Sequence, residues 1–225
     1  MSALNTLDFI LNHPLNREHR GKALARFARW QIGSRLLPGP VVIDFAGESK
    51  LLVQPGMTGA TGNVYAGLHE FWEMAFTLHL LQKGDLFVDV GANVGSYTML
   101  ASAAVGAECV SVEPVPSTYQ WLQSNIKLND AEPLVTALNV AVGGEKGKLN
   151  MTASEGAMNH VISNSSSQPE DAISISVETL DRVLESKRPV LMKVDVEGFE
   201  AEVVRGGRHP GKGELAGRHH GNKWE

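Results

Sequence analysis

Cysteine is almost absent. With Cys109 alone in 225 residues, no intramolecular disulfide can form, and nothing in the chain calls for an oxidising compartment. Cys109 lies in an apolar, strand-like run, where a lone thiol reads as a small core residue. Positive charge is scarce as well. The net charge is −5, and the arginines between Arg17 and Arg35 are spread along one helical stretch rather than clustered. That argues against binding driven by phosphate neutralisation, so nucleic acid is not an expected partner. No basic start followed by an apolar block is present, and the longest largely apolar stretch, residues 97–107, is too short to span a bilayer. The expectation is a cytoplasmic protein with no membrane span.

What is present is an ordinary globular composition, 43% hydrophobic, enough for one α/β domain with an N-terminal appendage. Apolar spacing predicts helices over 4–11 and 18–36. Residues 41–45 and 50–53 read as a hairpin, 56–62 as a glycine-rich loop, and about 70–82 as a further helix. From there strands and helices alternate. Strands are expected at 86–90, 109–113, 134–142, 149–152, 173–177 and 190–195, and helices at 94–105, 117–128, 178–186 and from Phe199. Such alternation with long crossovers implies a parallel sheet covered on both faces. The expected organisation is a helical and hairpin extension over 1–62, a core over 63–207 and an atypical tail over 208–225. The change of composition after Gly207 reads as a truncated or altered end, with the C-terminal strands of a complete fold missing.

The densest signal is Phe87-Val-Asp-Val-Gly-Ala-Asn-Val-Gly, followed by Glu113 at the end of the next apolar run. One buried strand thus ends in Asp89 and a glycine turn, and a second delivers a carboxylate to the same rim. Gly91 and Gly95 allow a sharp turn and close approach to a ligand. The helix that follows points free amides at it, and Glu113 is spaced to take ribose hydroxyls. The turn is Gly-x-x-x-Gly, not the Gly-x-Gly-x-x-Gly of pyrophosphate cofactors. That favours S-adenosylmethionine, a nucleoside without phosphates, over a nicotinamide dinucleotide.

These residues, with Ser96-Tyr-Thr, Val112-Glu-Pro, Asn139-Val-Ala-Val-Gly, Val177-Glu-Thr-Leu-Asp, Leu191-Met-Lys-Val-Asp-Val-Glu-Gly-Phe-Glu and the upstream Gly67-Leu-His-Glu, make the chain resemble the FkbM-type S-adenosylmethionine-dependent methyltransferases over roughly residues 63–207. The resemblance implies a Rossmann-like class I methyltransferase fold. It also implies methyl transfer to a hydroxyl on a sugar, glycan or other natural-product acceptor. By position, Asp89, Gly91, Asn93 and Gly95 would line the methionine and ribose side of the cofactor, Glu113 would hold the ribose, and Ala141 would border the adenine. Glu70 is grouped with the cofactor side, although an acidic residue at a helix start also complements the dipole without a ligand.

Strand alternation sends Lys193, Asp195 and Glu197 in one direction. Three charged groups on one side of a central strand are costly to bury unless they pair or meet a ligand. An ion pair from Lys193 to Asp195 or Glu197 is the plain reading. In the functional one the three are catalytic, with Asp195 orienting the acceptor hydroxyl or taking its proton. Two carboxylates without a nearby His or Asn do not make a metal site, and none is expected. Trp30, Trp72 and Trp121 read as core residues on helices. The competing reading is a cofactor-binding or interaction fragment without turnover.

Overall fold

The computed structural model describes residues 3–57, 60–152, 172–196 and 198–207. Glu197, the tail expected over 208–225 and, apart from Ala172, the polar segment 153–172 lie outside the described residues. The N-terminal part comprises α1 (Ala3–Asn12), a 3-10 turn at Pro14–Asn16, α2 (Arg20–Leu36), β1 (Val41–Asp44), β2 (Lys50–Val53), α3 (Ala60–Ala66) and α4 (Phe71–Leu80). The core follows as β3 (Leu86–Val90), α5 (Ser96–Met99) running on into a π-helical turn at Leu100–Val105, β4 (Glu108–Val112) and α6 (Pro116–Leu128). After it come β5 (Val135–Leu138), β6 (Ala141–Gly143), β7 (Gly147–Thr152), β8 (Ala172–Thr179), α7 (Leu180–Leu184), β9 (Leu191–Val194) and α8 (Glu200–Arg205).

The main sheet has the order β5-β4-β3-β9, every pair parallel. Its strands are apolar on both sides, as helices covering both faces require. Phe87 and Cys109 pack with Tyr97, Leu100 and Ala101 on one face. Val88, Val90, Val110 and Val112 pack with Leu180, Val183 and Val203 on the other. This is the parallel sheet covered on both faces that the alternation predicts, an α/β architecture in keeping with the Rossmann-like fold that the resemblance implies. β9 ends the sheet, and among the described residues no strand pairs with its outer edge. No helix among the described residues is long and apolar enough to cross a membrane.

Three expectations need correction. The strand expected over 134–142 is two strands in different sheets: β5 joins the main sheet, while β6 pairs with β8, and β8 pairs antiparallel with β7, in a separate three-stranded sheet. The break falls at Asn139, whose side-chain amide donates to the carbonyls of Glu113 (2.8 Å) and Pro114 (2.9 Å) and so is fixed by the loop after β4. The glycine-rich loop at 56–62 gives way to α3 from Ala60, because burial of Ala60, Asn63, Tyr65 and Ala66 outweighs the poor helix propensity of Gly62. A β-carbon at Gly62 would overlap the His69 ring, so that glycine serves packing. The helix expected over 178–186 shortens to α7, since β8 runs on to Thr179, whose hydroxyl accepts from the Arg182 amide at 3.3 Å and caps the helix.

The β1–β2 hairpin is fastened to α6 by two asparagines. The Asn125 side chain accepts from the Leu52 amide (2.6 Å) and donates to the Val94 carbonyl (2.9 Å). Asn129 accepts from the Lys50 amide (2.7 Å) and donates to the Lys50 carbonyl (2.9 Å). Side-chain amides thereby stand in for a neighbouring strand along β2.

Candidate active site

The carboxyl ends of β3, β4 and β9 form one rim, because parallel neighbours in this register end together. β3 runs into Gly91, whose φ of +80° lies in the left-handed region. Its amide and that of Ala92 both donate to the Val112 carbonyl at 2.9 Å. A β-carbon on Gly91 would overlap the carbonyl oxygen of Asp195. Only glycine lets this turn and the end of β9 close together. Asn93 adopts φ +52°, and its side-chain oxygen accepts from the Val94 amide at 2.8 Å, the local bond that makes asparagine tolerant of this conformation. Gly95 precedes α5 at φ +94°, with the tip of Leu122 lying 2.6 Å from where its β-carbon would stand.

Glu113 is buried just beyond β4. One carboxylate oxygen accepts from the Asn93 amide at 2.9 Å and the other from the Val115 amide at 3.0 Å. Each oxygen keeps a second lone pair. Burial pushes the carboxyl up to about 7 against the pull of both amides, with the negative charge of Asp89 adding to the rise. Glu113 therefore ties the glycine turn to β4, a structural link beyond the ribose role expected of it.

Asp89 is 1% exposed. One oxygen accepts from the Thr98 hydroxyl at 2.7 Å, which also lies 2.8 Å from the Ser111 hydroxyl. The other has no partner among the described residues. Burial raises the Asp89 pKa, and Lys193 pulls it the other way. Lys193, opposite Asp89 in register, places its ammonium 2.8 Å from an Asp195 oxygen and 4.8 Å from the centre of the Tyr97 ring. The Tyr97 hydroxyl donates to Glu70 at 2.7 Å. Burial first, then the Glu70 carboxylate, push the phenol pKa upward, so it remains a protonated donor.

An open cleft with about 440 Å³ of empty space lies over this framework, lined by Glu70, Gly91, Asn93, Tyr97, Lys193 and Asp195 among others. The fold thus brings the expected Glu70, Gly91, Asn93, Lys193 and Asp195 together, with Tyr97 among them. Asp89, Gly95 and Glu113 are absent from the cleft lining and support its wall. Ala141 packs against Ile175 and Val177 in the separate sheet, outside this cleft. The motif reading included Tyr97 and Thr98 in Ser96-Tyr-Thr but gave them no site role, although two polar residues opening the apolar stretch before Gly106 were a usable signal. The core assignment holds for Trp30, which is buried, and fails for Trp72, which is 73% exposed. Trp72 fails because α4 turns that face outward while burying Met74 and Thr77.

Replacing Tyr97 by Phe keeps the ring beneath Lys193 and removes only the tie to Glu70. Urea unfolding should show a loss of about 1 kcal/mol. Tyr97→Ala also removes a buried ring and should cost roughly 3–5 kcal/mol. Equal losses would mean the ring contributes nothing.

The Methyltransferase FkbM domain family matches residues 89–213. The chain is 30% identical over 131 residues to the hexuronic acid methyltransferase AglP of Haloferax volcanii, covering 56% of this chain and 51% of that protein. It is 27% identical over 173 residues to methyltransferase sdnD of Sordaria araneosa, covering 60% of this chain and 65% of that one. The chain therefore spans between half and two thirds of the length of these two relatives. Among solved structures, TYW2 of P. horikoshii in complex with MeSAdo aligns with a TM-score of 0.39 at 16% identity, over 57% of this chain and 50% of that one.

Proposed function

Because the chain belongs to the FkbM methyltransferase family, we propose that it transfers a methyl group from S-adenosylmethionine to a hydroxyl oxygen of a sugar, glycan or other natural-product acceptor. The observation that carries this reading is the cleft over the Gly91 turn, which gathers Gly91, Asn93, Lys193 and Asp195 at the carboxyl ends of β3 and β9. The residues fit the cofactor: Glu113 keeps free lone pairs for ribose hydroxyls, and the unpartnered oxygen of Asp89 adds negative potential beneath the site. A relative named for hexuronic acid supports a sugar among the acceptors.

In this reading Gly91 and Asn93 border the methionine side, Gly95 opens the helix behind them, and Glu113 holds the ribose. Glu70 lines the cleft beside Tyr97, and Ala141, from the separate sheet, borders the adenine. Bound S-adenosylmethionine supplies an electrophilic methyl carbon on a good leaving group, so the chief task left to the protein is alignment. Asp195 orients the acceptor hydroxyl and accepts its proton. Lys193 holds the Asp195 carboxylate in place, and Glu197 is the third charged residue of the same sequence motif.

The test is calorimetric titration of S-adenosylhomocysteine into the chain, with NAD as the competing ligand and methyl transfer assayed alongside. Micromolar binding of the nucleoside and none of NAD is expected. Asp195→Asn should keep that affinity and lose turnover by about a hundredfold, within the usual range of general-base assistance. Full turnover in Asp195→Asn would remove Asp195 from the mechanism. Binding without transfer by the wild-type chain to any hydroxyl acceptor would favour a cofactor-binding module.

A further inference from the structure

Part of the cofactor cleft is built from residues ahead of the matched family segment 89–213, with Ala60, His69, Glu70 and Met74 in its lining. His69 is tied to the glycine turn through one side chain. Its backbone amide donates to the Asn63 side-chain oxygen at 2.8 Å, and the Asn63 nitrogen donates to the Ser96 hydroxyl at 3.1 Å. Asn63 is buried, so it fixes His69 and Ser96 relative to each other. Ser96 also lines the cleft, at the start of α5 directly after Gly95.

The His69 imidazole has a dry side. Nδ1 is buried with no hydrogen-bond partner among the described residues. It lies against Gly62, where a β-carbon would overlap it, and the ring meets Phe9 edge-on at 5.1 Å. A proton on Nδ1 would have neither room nor an acceptor. The neutral ring therefore carries its proton on Nε2, which makes His69 a donor toward the cleft that it lines. Ser96 matches it, since a hydroxyl that accepts from Asn63 keeps its own proton to give.

Two donors fixed side by side call for an acceptor, and the surrounding charges narrow the choice. Glu70 and Asp195 line the cleft, and Asp89 is buried in its wall. Lys193, the one Lys or Arg in the lining, is already paired with Asp195 at 2.8 Å. These carboxylates suit the ammonium and sulfonium of S-adenosylmethionine and leave its α-carboxylate without a partner. His69 and Ser96 supply the hydrogen bonds that this group needs.

We propose that His69 and Ser96, aligned by Asn63, form the carboxylate-binding end of the cofactor cleft and select a nucleoside that carries an amino-acid tail. The proposal rests on the reading of the chain as an S-adenosylmethionine-dependent enzyme and adds the residues that hold that tail.

Calorimetry with three nucleosides tests it. They are S-adenosylhomocysteine, its decarboxylated analogue, which keeps the amine, and methylthioadenosine, which lacks the whole tail. The wild-type chain should bind S-adenosylhomocysteine on the order of tenfold to a hundredfold more tightly than the decarboxylated analogue, as hydrogen bonds to a charged group predict. His69→Ala should erase most of that margin and Ser96→Ala part of it, by weakening S-adenosylhomocysteine alone. His69→Gln, whose amide nitrogen reaches the place of Nε2, should restore it. Methylthioadenosine should bind every variant as it binds the wild type, which also shows that the cleft stays folded. Should His69→Ala fail to fold, Ser96→Ala carries the same comparison. Equal wild-type affinity for S-adenosylhomocysteine and the decarboxylated analogue, or a margin unchanged in the alanine variants, overturns the tail site while methylthioadenosine binding keeps the nucleoside reading. No binding of any of the three to the wild-type chain sinks the S-adenosylmethionine reading itself, and the tail site with it.

Discussion

A Gly91→Ala protein is expected to lose nucleoside binding entirely and to unfold at markedly lower urea concentration than the wild type. Two costs coincide at this position. The backbone sits at φ +80°, which a residue with a β-carbon adopts at a cost of roughly 1–3 kcal/mol. The added methyl also meets the Asp195 carbonyl, a rigid backbone atom that cannot swing aside like a side-chain tip, and overpacking of that kind adds about 1–3 kcal/mol. Relief requires β9 to move away from β3. The Asp195 amide donates to the Val90 carbonyl at 2.9 Å, so that movement breaks the last ladder bond of the sheet and displaces the carboxylate assigned to the acceptor. Urea unfolding and calorimetry on the same sample read both effects. A variant with wild-type stability would show that the turn and the end of β9 are not held together as described.

The second large effect is a pH dependence with opposite signs for folding and for binding. Glu113 rises from 4.5 to about 7 on folding because it is buried. A raised carboxyl pKa means the native state holds a proton that the unfolded chain releases. The contribution of Glu113 to stability is therefore greatest below pH 4.5, declines as pH rises, and levels off above pH 7. The total decline is on the order of 3 kcal/mol. Ribose hydroxyls need the ionised carboxylate as acceptor, so nucleoside affinity should move the other way. At pH 6 it should be about one tenth of its value at pH 8, following the fraction ionised. Glu113→Ala should weaken binding at pH 8 by about 1.5–3 kcal/mol and flatten the dependence on pH. Urea unfolding and calorimetry at pH 5.5, 6 and 8 supply the numbers. Affinity unchanged between pH 6 and 8 in the wild type would remove Glu113 from ribose recognition.

Much of this arrangement was legible in the sequence because it depends on backbone geometry that few residue types permit. The turn between Asp89 and Gly95 is one case, since glycine at 91 and asparagine at 93 announce left-handed backbone. The ion pair of Lys193 and Asp195 is another, because strand alternation alone puts both on one side. What stayed hidden depends on long-range partners. Nothing local says that Asn139 would bind the loop after β4 and send Ala141 into a different sheet. Gly62 looked like a loop residue, because the His69 ring that requires a small residue there comes later in the chain and meets it only after folding. Trp72 looked like core because hydrophobicity does not say which side of α4 is left uncovered. Tyr97 stood in the motif without a role: it touches Glu70 on one side and lies beneath Lys193 on the other, linking two motifs that sequence treats as unrelated.

The asparagine clamp between α6 and the hairpin bears on how the chain comes apart. Two strands joined by a short turn have almost no stability of their own in water. Here the β2 backbone is held at Lys50 and Leu52 by side chains rooted in the same helix that covers Gly95. The hairpin therefore cannot fray alone without orphaning the side-chain oxygens of Asn125 and Asn129, and α6 cannot loosen without releasing the hairpin. Extension and core should therefore melt as one cooperative unit, and removal of the first 62 residues should expose the back of the Gly91–Gly95 turn instead of liberating an independent domain.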